Sequence, residues 1–416
     1  MQLTEQQSQV LDSLTSFIIS EDQQYMVLKG FAGTGKTTVV AELIQWINQY
    51  NELAEALNTP TIKKSLTATT NKAASVLANA TATSATTIHS LLGLSVRYEQ
   101  GKPVLYVRNN HALNSYTPDI VIIDEASYIN EELLEYIQVH LKDSKVLFIG
   151  DDTQLTPVGS EETTIFNQGY PTLELTELMR QPVGALQELC VELRKQVQSN
   201  EPFTVNMDNQ EICLVSKEEF SQMILDDMGR DDWKPSDSKV VCYTNTLVLD
   251  VNNAVHTHKH GSPKFTSGDV LICNSHVNTS RQTIPTDSLV KIERVIDNQT
   301  LDVDIHKQTY MSINCCIYTI NGEAFATAYD QNEVKAAIKY AIQQRDWATL
   351  AWLREMFLDL RHSYACTVHK AQGSTYDTVY VDLDDLYKAI RNKDMYNRLL
   401  YVAVSRAAKK VVFTES

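Results

Sequence analysis

The stretch Gly30-Phe-Ala-Gly-Thr-Gly-Lys-Thr-Thr38 decides the fold of this chain. It matches the pattern G-x-x-x-x-G-K-T and lies between a short apolar run, residues 26–30, and a helical pattern over residues 37–50. A strand, a glycine-rich turn and a helix in this order direct backbone N–H groups at phosphate oxygens, and Lys36 would add positive charge. The pattern therefore predicts a nucleoside triphosphate site formed by Gly30, Gly33, Thr34, Gly35, Lys36, Thr37 and Thr38.

Acidic residues end another apolar run, residues 119–123, at Asp124 and Glu125. Because such acids complete the Mg²⁺ site of P-loop enzymes, we expect Asp124 and the Thr37 hydroxyl to hold Mg²⁺. Glu125 would act as general base on the attacking water. Gln154 follows the next apolar run and is predicted to hydrogen-bond the γ-phosphate. An ordinary loop with a helix-capping aspartate is the alternative for that segment.

Strand and helix patterns alternate over the first 180 residues, with further buried strands predicted at 65–69 and 145–151. Such alternation builds a parallel sheet whose ligands bind at the carboxyl ends of the strands. Segments of the same kind return later in the chain, at 238–245, 378–383, 397–407 and 409–415. The predicted fold class is therefore α/β, with two parallel-sheet domains.

Two insertions interrupt these domains. Residues 96–108 have two β-rich arms around a Gln-Gly-Lys-Pro turn, which predicts a β-hairpin. Short β-type runs between 250 and 362, at 268–274, 288–297, 300–306 and 312–320, are followed by a helical stretch at 333–357. Together they predict a small β-barrel with a helical appendage in the second domain.

Composition sets limits on the class of protein. The chain has 416 residues, which suits roughly two to four domains, and no stretch approaches the ~20 apolar residues that span a bilayer. The N-terminus lacks the basic and apolar regions of a secretory signal, so the expected location is the cytoplasm. Seven cysteines without zinc spacing are expected to be reduced and buried. The net charge of −16 disfavours a broad nucleic-acid surface but allows one groove with a few lysine, hydroxyl and backbone contacts.

The order of the motifs makes this chain similar to superfamily 1 helicases. Within that superfamily it resembles the RecD/Dda branch, superfamily 1B, and above all the Dda-like helicases of tailed bacteriophages. The hairpin and the β-rich insertion are features of that branch. The matching segments are residues 3–7, 30–38, 66–77, 85–92, 124–127, 150–159, 174–181, 364–383 and 398–407.

The resemblance implies two RecA-like domains with ATP in the cleft between them. It also implies 5′-to-3′ movement on single-stranded DNA and unwinding of forked duplex DNA, in phage-type replication or recombination. A monomer in the host cytoplasm is expected, with a single-strand-binding or replisome protein as a further partner. The implied domains are 1A at 1–180 with hairpin insertion 1B at about 91–117, 2A at 181–250 and 362–416, and 2B at 251–361.

Individual roles follow from the positions that match the family motifs. Gln7 matches the glutamine that reads adenine, and Arg180 and Arg406 match two arginine fingers, whose planar guanidinium binds phosphate oxygens bidentately. Gly373 stands where relatives couple the DNA groove to the γ-phosphate. Tyr98, in the hairpin, is a candidate for splitting base pairs, with packing of the hairpin as the alternative. The implied nucleic-acid contacts are Thr70, Asn71, Lys72, His89, Thr244, Asn245, His369, Lys370 and Ser374.

Other functions stay open at this point. An RNA helicase of the same superfamily, or a translocase that strips proteins from DNA, would carry the same motifs. From other classes, a P-loop phosphotransferase or a non-catalytic nucleic-acid-binding module is possible. Glu125 and the two arginines disfavour the module, and a small-molecule kinase would not need the groove residues.

Overall fold

The structure is a computed structural model and describes residues 3–99, 102–107, 117–155, 164–177, 184–199, 210–279, 281–389 and 392–414. The chain folds into two compact units. The first contains residues 1–206 and 392–408, and the second contains residues 207–391 and 409–416.

The helices alternate with strands over both units, as the sequence predicts. They are α1 (Glu5–Ile19), α2 (Lys36–Ala56), α3 (Asn71–Thr81), α4 (Ile88–Leu91), α5 (Glu131–His140), α6 (Ala185–Ser199), α7 (Lys217–Met228), α8 (Asn245–His260), α9 (Gln331–Gln344), α10 (Trp347–Met356), α11 (Val368–Ala371), α12 (Leu383–Tyr387) and α13 (Lys393–Val404).

The strands of the first unit are β1 (Tyr25–Gly30), β2 (Lys64–Ala68), β3 (Ala85–Thr87), β4 (Leu94–Glu99), β5 (Lys102–Val107), β6 (Ile120–Asp124), β7 (Lys145–Gly150) and β8 (Thr172–Leu175). The later strands are β9 (Ile212–Val215), β10 (Ser238–Cys242), β11 (Val270–Cys273), β12 (Val277–Asn278), β13 (Thr283–Ile284), β14 (Leu289–Lys291), β15 (Arg294–Ile305), β16 (Gln308–Ile320), β17 (Glu323–Ala328), β18 (Leu360–His362), β19 (Ala365–Thr367), β20 (Tyr376–Val381) and β21 (Ala407–Thr414).

A six-stranded sheet organises the first unit, in the order β3-β2-β6-β7-β1-β8. The registered pairs are all parallel. Successive residues of β1 point to opposite faces of the sheet. Leu28 packs in one core cluster with Leu43 of α2, whereas Val27 packs in another with Ile137 of α5. Helices therefore cover both faces, and the carboxyl ends of β1, β6 and β7 are left to carry polar loops.

Local chemistry explains where the first helices begin. Thr4 caps α1, and its side chain and that of Gln7 bond each other's backbone N–H in a capping box. Gly35, with φ 82°, starts α2 from a left-handed conformation that favours glycine. Thr70 caps α3 by accepting from the N–H of Ala73.

The predicted hairpin is confirmed as an antiparallel pair, β4 with β5. Residues 100–101 lie outside the described residues, as do the side chains of 96–99 and 102–104.

A five-stranded sheet organises the second unit, in the order β19-β10-β20-β21-β9. Strand β10 pairs in parallel with β19 and β20, and β21 pairs in parallel with β9. Its core contains Val240 of β10, Val255 of α8 and Phe220 of α7. The predicted α/β fold class with two parallel sheets is thus confirmed.

The insertion within the second unit consists of small antiparallel sheets, β14-β11-β18, β12-β13 and β15-β16-β17. Two predicted strands, 288–297 and 300–306, are wrong in their boundaries: β15 runs unbroken over Arg294–Ile305, with a register shift between Val295 and Asp297. A bulge absorbs an extra residue without ending a strand. The predicted helical stretch is two helices, divided at Arg345, which has φ 56°. The β-barrel stays a prediction.

The compact units differ from the predicted domain boundaries. Helices α6 and α13, predicted to belong to domain 2A, fall in the first unit, where they pack against each other. The division by motifs into 1A, 2A and 2B remains a prediction. All seven cysteines are free and buried. Among the described residues, the helices are too short or too polar to cross a membrane.

Candidate nucleotide site and nucleic-acid contacts

The loop between β1 and α2 has the backbone of a phosphate cradle. Gly33 and Gly35 both have positive φ, 90° and 82°, which turns the chain back toward the start of α2. A Cβ atom on Gly30 would lie 2.8 Å from the Oγ1 of Thr34, so the close packing of this loop requires glycine there. Lys36 Nζ donates to the carbonyl oxygens of Gly30 and Phe31, at 2.6 and 2.8 Å, which holds its charge over the loop.

Gln7 contacts the same loop from α1. Its side chain is buried, and its Nε2 donates to the carbonyl oxygen of Thr34 at 3.1 Å. A Cβ on Gly35 would lie 2.3 Å from that Nε2. The structure therefore brings the predicted adenine-reading residue against the phosphate loop.

Asp124 and Glu125 lie where β6 ends, and both are partly buried. Burial raises the pKa of Asp124. Burial, and then the neighbouring carboxylate of Asp124, raise the pKa of Glu125 to about 7, against the opposing charges of Lys36 and Arg406. Glu125 also has φ 54°, the left-handed region that L side chains rarely adopt, at a cost of roughly 1 kcal/mol. The carboxylate is thus held in a strained turn beside the phosphate loop.

The loop after β7 is tied to α13. Asp151, which is fully buried, accepts from Tyr401 Oη at 3.0 Å and from the backbone N–H of Thr153. Arg398 Nη1 donates to the carbonyl oxygens of Asp152 and Gln154, at 2.6 and 2.8 Å. These bonds join segments about 250 residues apart in sequence and fix the backbone of Gln154.

Arg406 follows α13 and is buried in the first unit. Its guanidinium donates to Ser405 Oγ and to the carbonyl oxygen of Val402. Its charge acts on Glu125 and on Tyr128, so it lies near the predicted general base. Arg180 lies outside the described residues.

The predicted nucleic-acid contacts of the first unit lie at the starts of α3 and α4. Thr70 is the cap of α3, Asn71 is exposed, and Lys72 is partly exposed. His89 is partly buried in α4, and burial lowers its pKa, which favours the neutral imidazole. The side chain of Tyr98 lies outside the described residues.

In the second unit, Thr244 and Asn245 begin α8. Thr244 Oγ1 donates to Asp385 Oδ1 at 2.6 Å, and Asp385 also accepts from the backbone N–H of Thr244 and Tyr243. Asn245 is exposed and lines a small cavity with Thr367 and Lys370.

The motif around α11 holds the remaining predicted contacts. Burial lowers the pKa of His369, and Lys370 pairs with Asp287 at 2.9 Å and donates to Asn274. Gly373 has φ 71°, and Ser374 N–H donates to the carbonyl oxygen of Ala371. Lys370 therefore bonds two residues of the insertion, and no local sequence pattern predicts this contact.

Sequence reasoning missed the residues that hold the site together: Asp151, Arg398, Tyr401 and Asp385. Asp151, Arg398 and Tyr401 lie inside segments that matched helicase motifs, which is the one signal that could have found them. Tyr401 and Asp385 are separated from their partners by 250 and 141 residues.

A parallel sheet with a P-loop after one strand and paired acids after another defines the class of P-loop ATPases with RecA-like cores. Residues 2–213 match the family model described as AAA domain, and residues 362–414 match the UvrD-like helicase C-terminal domain. The chain belongs to the AAA domain family and, with its helicase C-terminal match and its relatives, to the ATP-hydrolysing superfamily 1B DNA helicases of the RecD, Dda and Pif1 type.

Three relatives show the range of similarity. An uncharacterized protein of Acanthamoeba polyphaga mimivirus is 23% identical over 493 residues, covering 97% of both chains. The ATP-dependent RecD2 DNA helicase of Deinococcus radiodurans is 34% identical over 181 residues, 43% of this chain and 22% of the relative. The ATP-dependent DNA helicase dda of Enterobacteria phage T4 is 27% identical over 174 residues, 39% and 36% of the two chains. The matches thus span less than half the length of these two named helicases.

A solved structure of Pif1 helicases at forked double-stranded DNA is similar over 99% of this chain and 92% of the Pif1 chain. The TM-score is 0.55 and the identity 17%, which establishes likeness of fold. The resemblance stated from the motifs is thereby confirmed at the level of family and fold.

Proposed function

We propose that this protein is an ATP-driven motor that moves 5′ to 3′ along single-stranded DNA and unwinds the duplex ahead of it. The observation that carries the proposal is the grouping of Lys36, Glu125 and Arg406 in one unit of a chain that belongs to the helicase family. The named relatives are DNA helicases, and the Pif1 structure concerns unwinding at forks. Viral relatives favour a role in viral DNA replication or recombination.

The residues of the first unit fit Mg²⁺ and ATP as cofactors. Thr37 and Asp124 offer the hydroxyl and carboxylate oxygens that Mg²⁺ prefers, and the positive-φ glycines open backbone N–H groups to phosphates. When bound, Mg²⁺ supplies charge that offsets the β- and γ-phosphates. Gln7 contacts the loop that would hold the nucleotide.

The chain's own groups divide the work of hydrolysis. Lys36 neutralises phosphate charge, and the Glu125 carboxylate takes a proton from the attacking water. Arg406, with Arg180 as a second finger, stabilises charge that develops on the transferred phosphoryl group. Gln154, whose backbone is fixed by Arg398, senses the γ-phosphate.

The proposed DNA track uses hydroxyl, amide, lysine and imidazole donors rather than a broad basic surface. Such donors suit phosphates of any sequence. Thr70, Asn71, Lys72 and His89 serve in the first unit. The second unit contributes Thr244, Asn245, His369, Lys370 and Ser374.

ATP hydrolysis tests the first part of the proposal. Wild-type protein should hydrolyse ATP with Mg²⁺ and be stimulated by poly-dT, and Lys36→Ala should lose that activity. Lys63→Ala, on an exposed lysine of the same unit, is the matched control. Full DNA-stimulated activity of Lys36→Ala would show that the phosphate loop has been misassigned. Equal or greater stimulation by poly-U would point to RNA.

Forks with a single tail test movement and direction together. We expect unwinding of a fork with only a 5′ single-stranded tail and none with only a 3′ tail. Unwinding from the 3′ tail alone would contradict the proposed polarity. Displacement of a bound protein without strand separation would point to a translocase.

A further inference from the structure

The second unit has a cavity of about 460 Å³ between α8, the insertion strands and α9. Its walls include the aromatic rings of Phe265 and Tyr329 and the aliphatic side chain of Leu249. Tyr329 and Leu249 are exposed by 52% and 44%, so the cavity opens to solvent. A volume of this size is within the range of roughly 300–1,000 Å³ typical of ligand sites.

The polar groups of the cavity suit an aromatic heterocycle with edge donors and acceptors. Asn253 and Asn332 place exposed carboxamides at the rim. An amide has both a donor and an acceptor, as do the edges of nucleobases. Lys264 Nζ lies 5.6 Å from the ring centroid of Tyr329, so a cation stands beside the aromatic wall.

The side chains that line the cavity have no net charge, so they do not repel a phosphodiester. The charged side chains of the lining are Lys264, Arg361, Asp330 and Asp359, two cations and two carboxylates, which sum to zero. Asp359 is held in a two-point pair by Arg361, and Asp330 caps α9 by accepting from the N–H of Asn332. In a chain with a net charge of −16, a neutral opening with Lys264 beside its aromatic wall is a favourable place for a polyanion.

The cavity also lies next to the proposed DNA contacts of the same unit. The small cavity lined by Asn245 and Lys370 shares Asn252, Arg361 and His362 with the larger one. Asn252 is buried and bonds the backbone of β19, so this shared wall is rigid. A strand that contacts Asn245 and Lys370 would therefore pass beside the aromatic cavity, which shares those lining residues.

We propose that this cavity binds one base of the single-stranded DNA, stacked on Tyr329 and contacted at its edge by Asn253 and Asn332. This inference rests on the proposed function, because it extends the DNA track along α8. Stacking on an aromatic ring is tolerant of sequence, since every base has a π-face. The site therefore increases the affinity of the second unit for single-stranded DNA without adding sequence preference.

The test is Tyr329→Ala with two matched controls. Tyr329→Phe keeps the ring and removes only the hydroxyl, which donates to Asn298. Trp347→Ala removes an exposed aromatic ring of the same insertion that does not line the cavity. Because Tyr329 is half exposed, its truncation should leave the fold intact, which thermal unfolding checks.

Affinity for oligo-dT without nucleotide, and the fluorescence of a 2-aminopurine base moved along that oligonucleotide, are the readouts. We expect the 2-aminopurine fluorescence to be quenched at one position of the oligonucleotide in the wild type and in both controls. In Tyr329→Ala the quenching should be lost and the Kd should rise about five- to 150-fold. Unchanged Kd and quenching in Tyr329→Ala would overturn this inference while leaving the motor proposal in place. Failure of the wild type to bind oligo-dT would overturn both.

Discussion

Glu125 illustrates how one residue combines strain, burial and charge. Its backbone is left-handed, and the charged groups that act on its carboxyl group include Asp124, Lys36 and Arg406. Strained backbone of this kind persists where the surrounding structure holds it and is often found at functional sites. The strain and the raised pKa both support its assignment as the general base.

We expect Glu125→Gln to lower the rate of ATP hydrolysis about 10²- to 10⁴-fold, because the amide cannot accept the proton of the attacking water. ATP binding should stay within a few-fold of wild type, since phosphate contacts come from the loop and Lys36. Single-turnover hydrolysis and equilibrium binding of a fluorescent ATP analogue separate the two effects. Glu131→Gln, an exposed acid of the same unit, is the control. Hydrolysis at the wild-type rate would exclude Glu125 as the base.

Tyr401 is a second residue with a specific role. Its hydroxyl is one of the donors to the fully buried Asp151, and a buried carboxylate that loses a donor costs about 1–3 kcal/mol. We therefore expect Tyr401→Phe to lower the free energy of unfolding by about that amount. Because Asp151 begins the loop that carries Gln154, kcat for ATP should fall while KM changes little.

Urea unfolding and steady-state ATPase assays measure these effects. Tyr50→Phe removes a hydroxyl at an exposed position of the same unit and should change neither quantity. A loss of stability without any change in kcat would mean that the bond is structural only.

At the scale of elements, α8 and β18 are joined by stacked imidazoles. The rings of His256 and His362 lie 4.0 Å apart, and His362 Nε2 bonds the carbonyl oxygen of Pro263. Burial lowers the pKa of His362 from 6.5 to about 4. Asp269 Oδ2 lies 3.0 Å from His256 Nε2, so a carboxylate is hydrogen-bonded to one of the two stacked rings.

The sign of the pH effect follows from that shift. A histidine with a lowered pKa binds its proton more readily in the unfolded chain, so stability falls as the pH falls from 6.5 to 4. The shift corresponds to about 3 kcal/mol for one group. We expect His362→Phe, which keeps the ring stacking, to be less stable at pH 8 but to lose less stability over this interval. Urea unfolding at pH 8, 6.5, 5 and 4 measures how the free energy of unfolding depends on pH. The same pH dependence in His362→Phe and in the wild type would contradict the lowered pKa of His362.

At the scale of the whole molecule, charge limits how the protein holds DNA. Asp and Glu number 52 against 36 Lys and Arg, so an extended basic face is not expected. The proposed contacts include few cations, chiefly Lys72 and Lys370, with hydroxyl and amide groups supplying the rest. Binding should therefore depend only weakly on salt.

With about two to four phosphates neutralised, log Kobs should fall with log salt at a slope of about −1.4 to −2.8 for a single strand. Fluorescence anisotropy of oligo-dT at 50 to 300 mM salt, on the order of the usual working range, measures the slope. Lys370→Gln should reduce it by about 0.7, whereas Lys195→Gln, on an exposed lysine of α6, should not. A slope steeper than about −5 would reveal a basic surface that the proposed contacts do not include.

The sequence by itself determined the α/β alternation, the phosphate loop at Gly30–Thr38, the acids that end β6 and the hairpin pair β4–β5. Each of these depends on neighbours within a few residues, because turn, cap and strand preferences are local. The spacing of apolar residues in the sequence did not predict the boundaries of β15 or the break between helices at Arg345. It also did not predict that α13 groups with the first unit. Only the tertiary structure brought Tyr401 to Asp151, Arg398 to Gln154 and Asp385 to Thr244. Hydrogen bonds between segments more than 100 residues apart depend on how the sheets and helices pack, and that packing leaves no periodic mark in either segment.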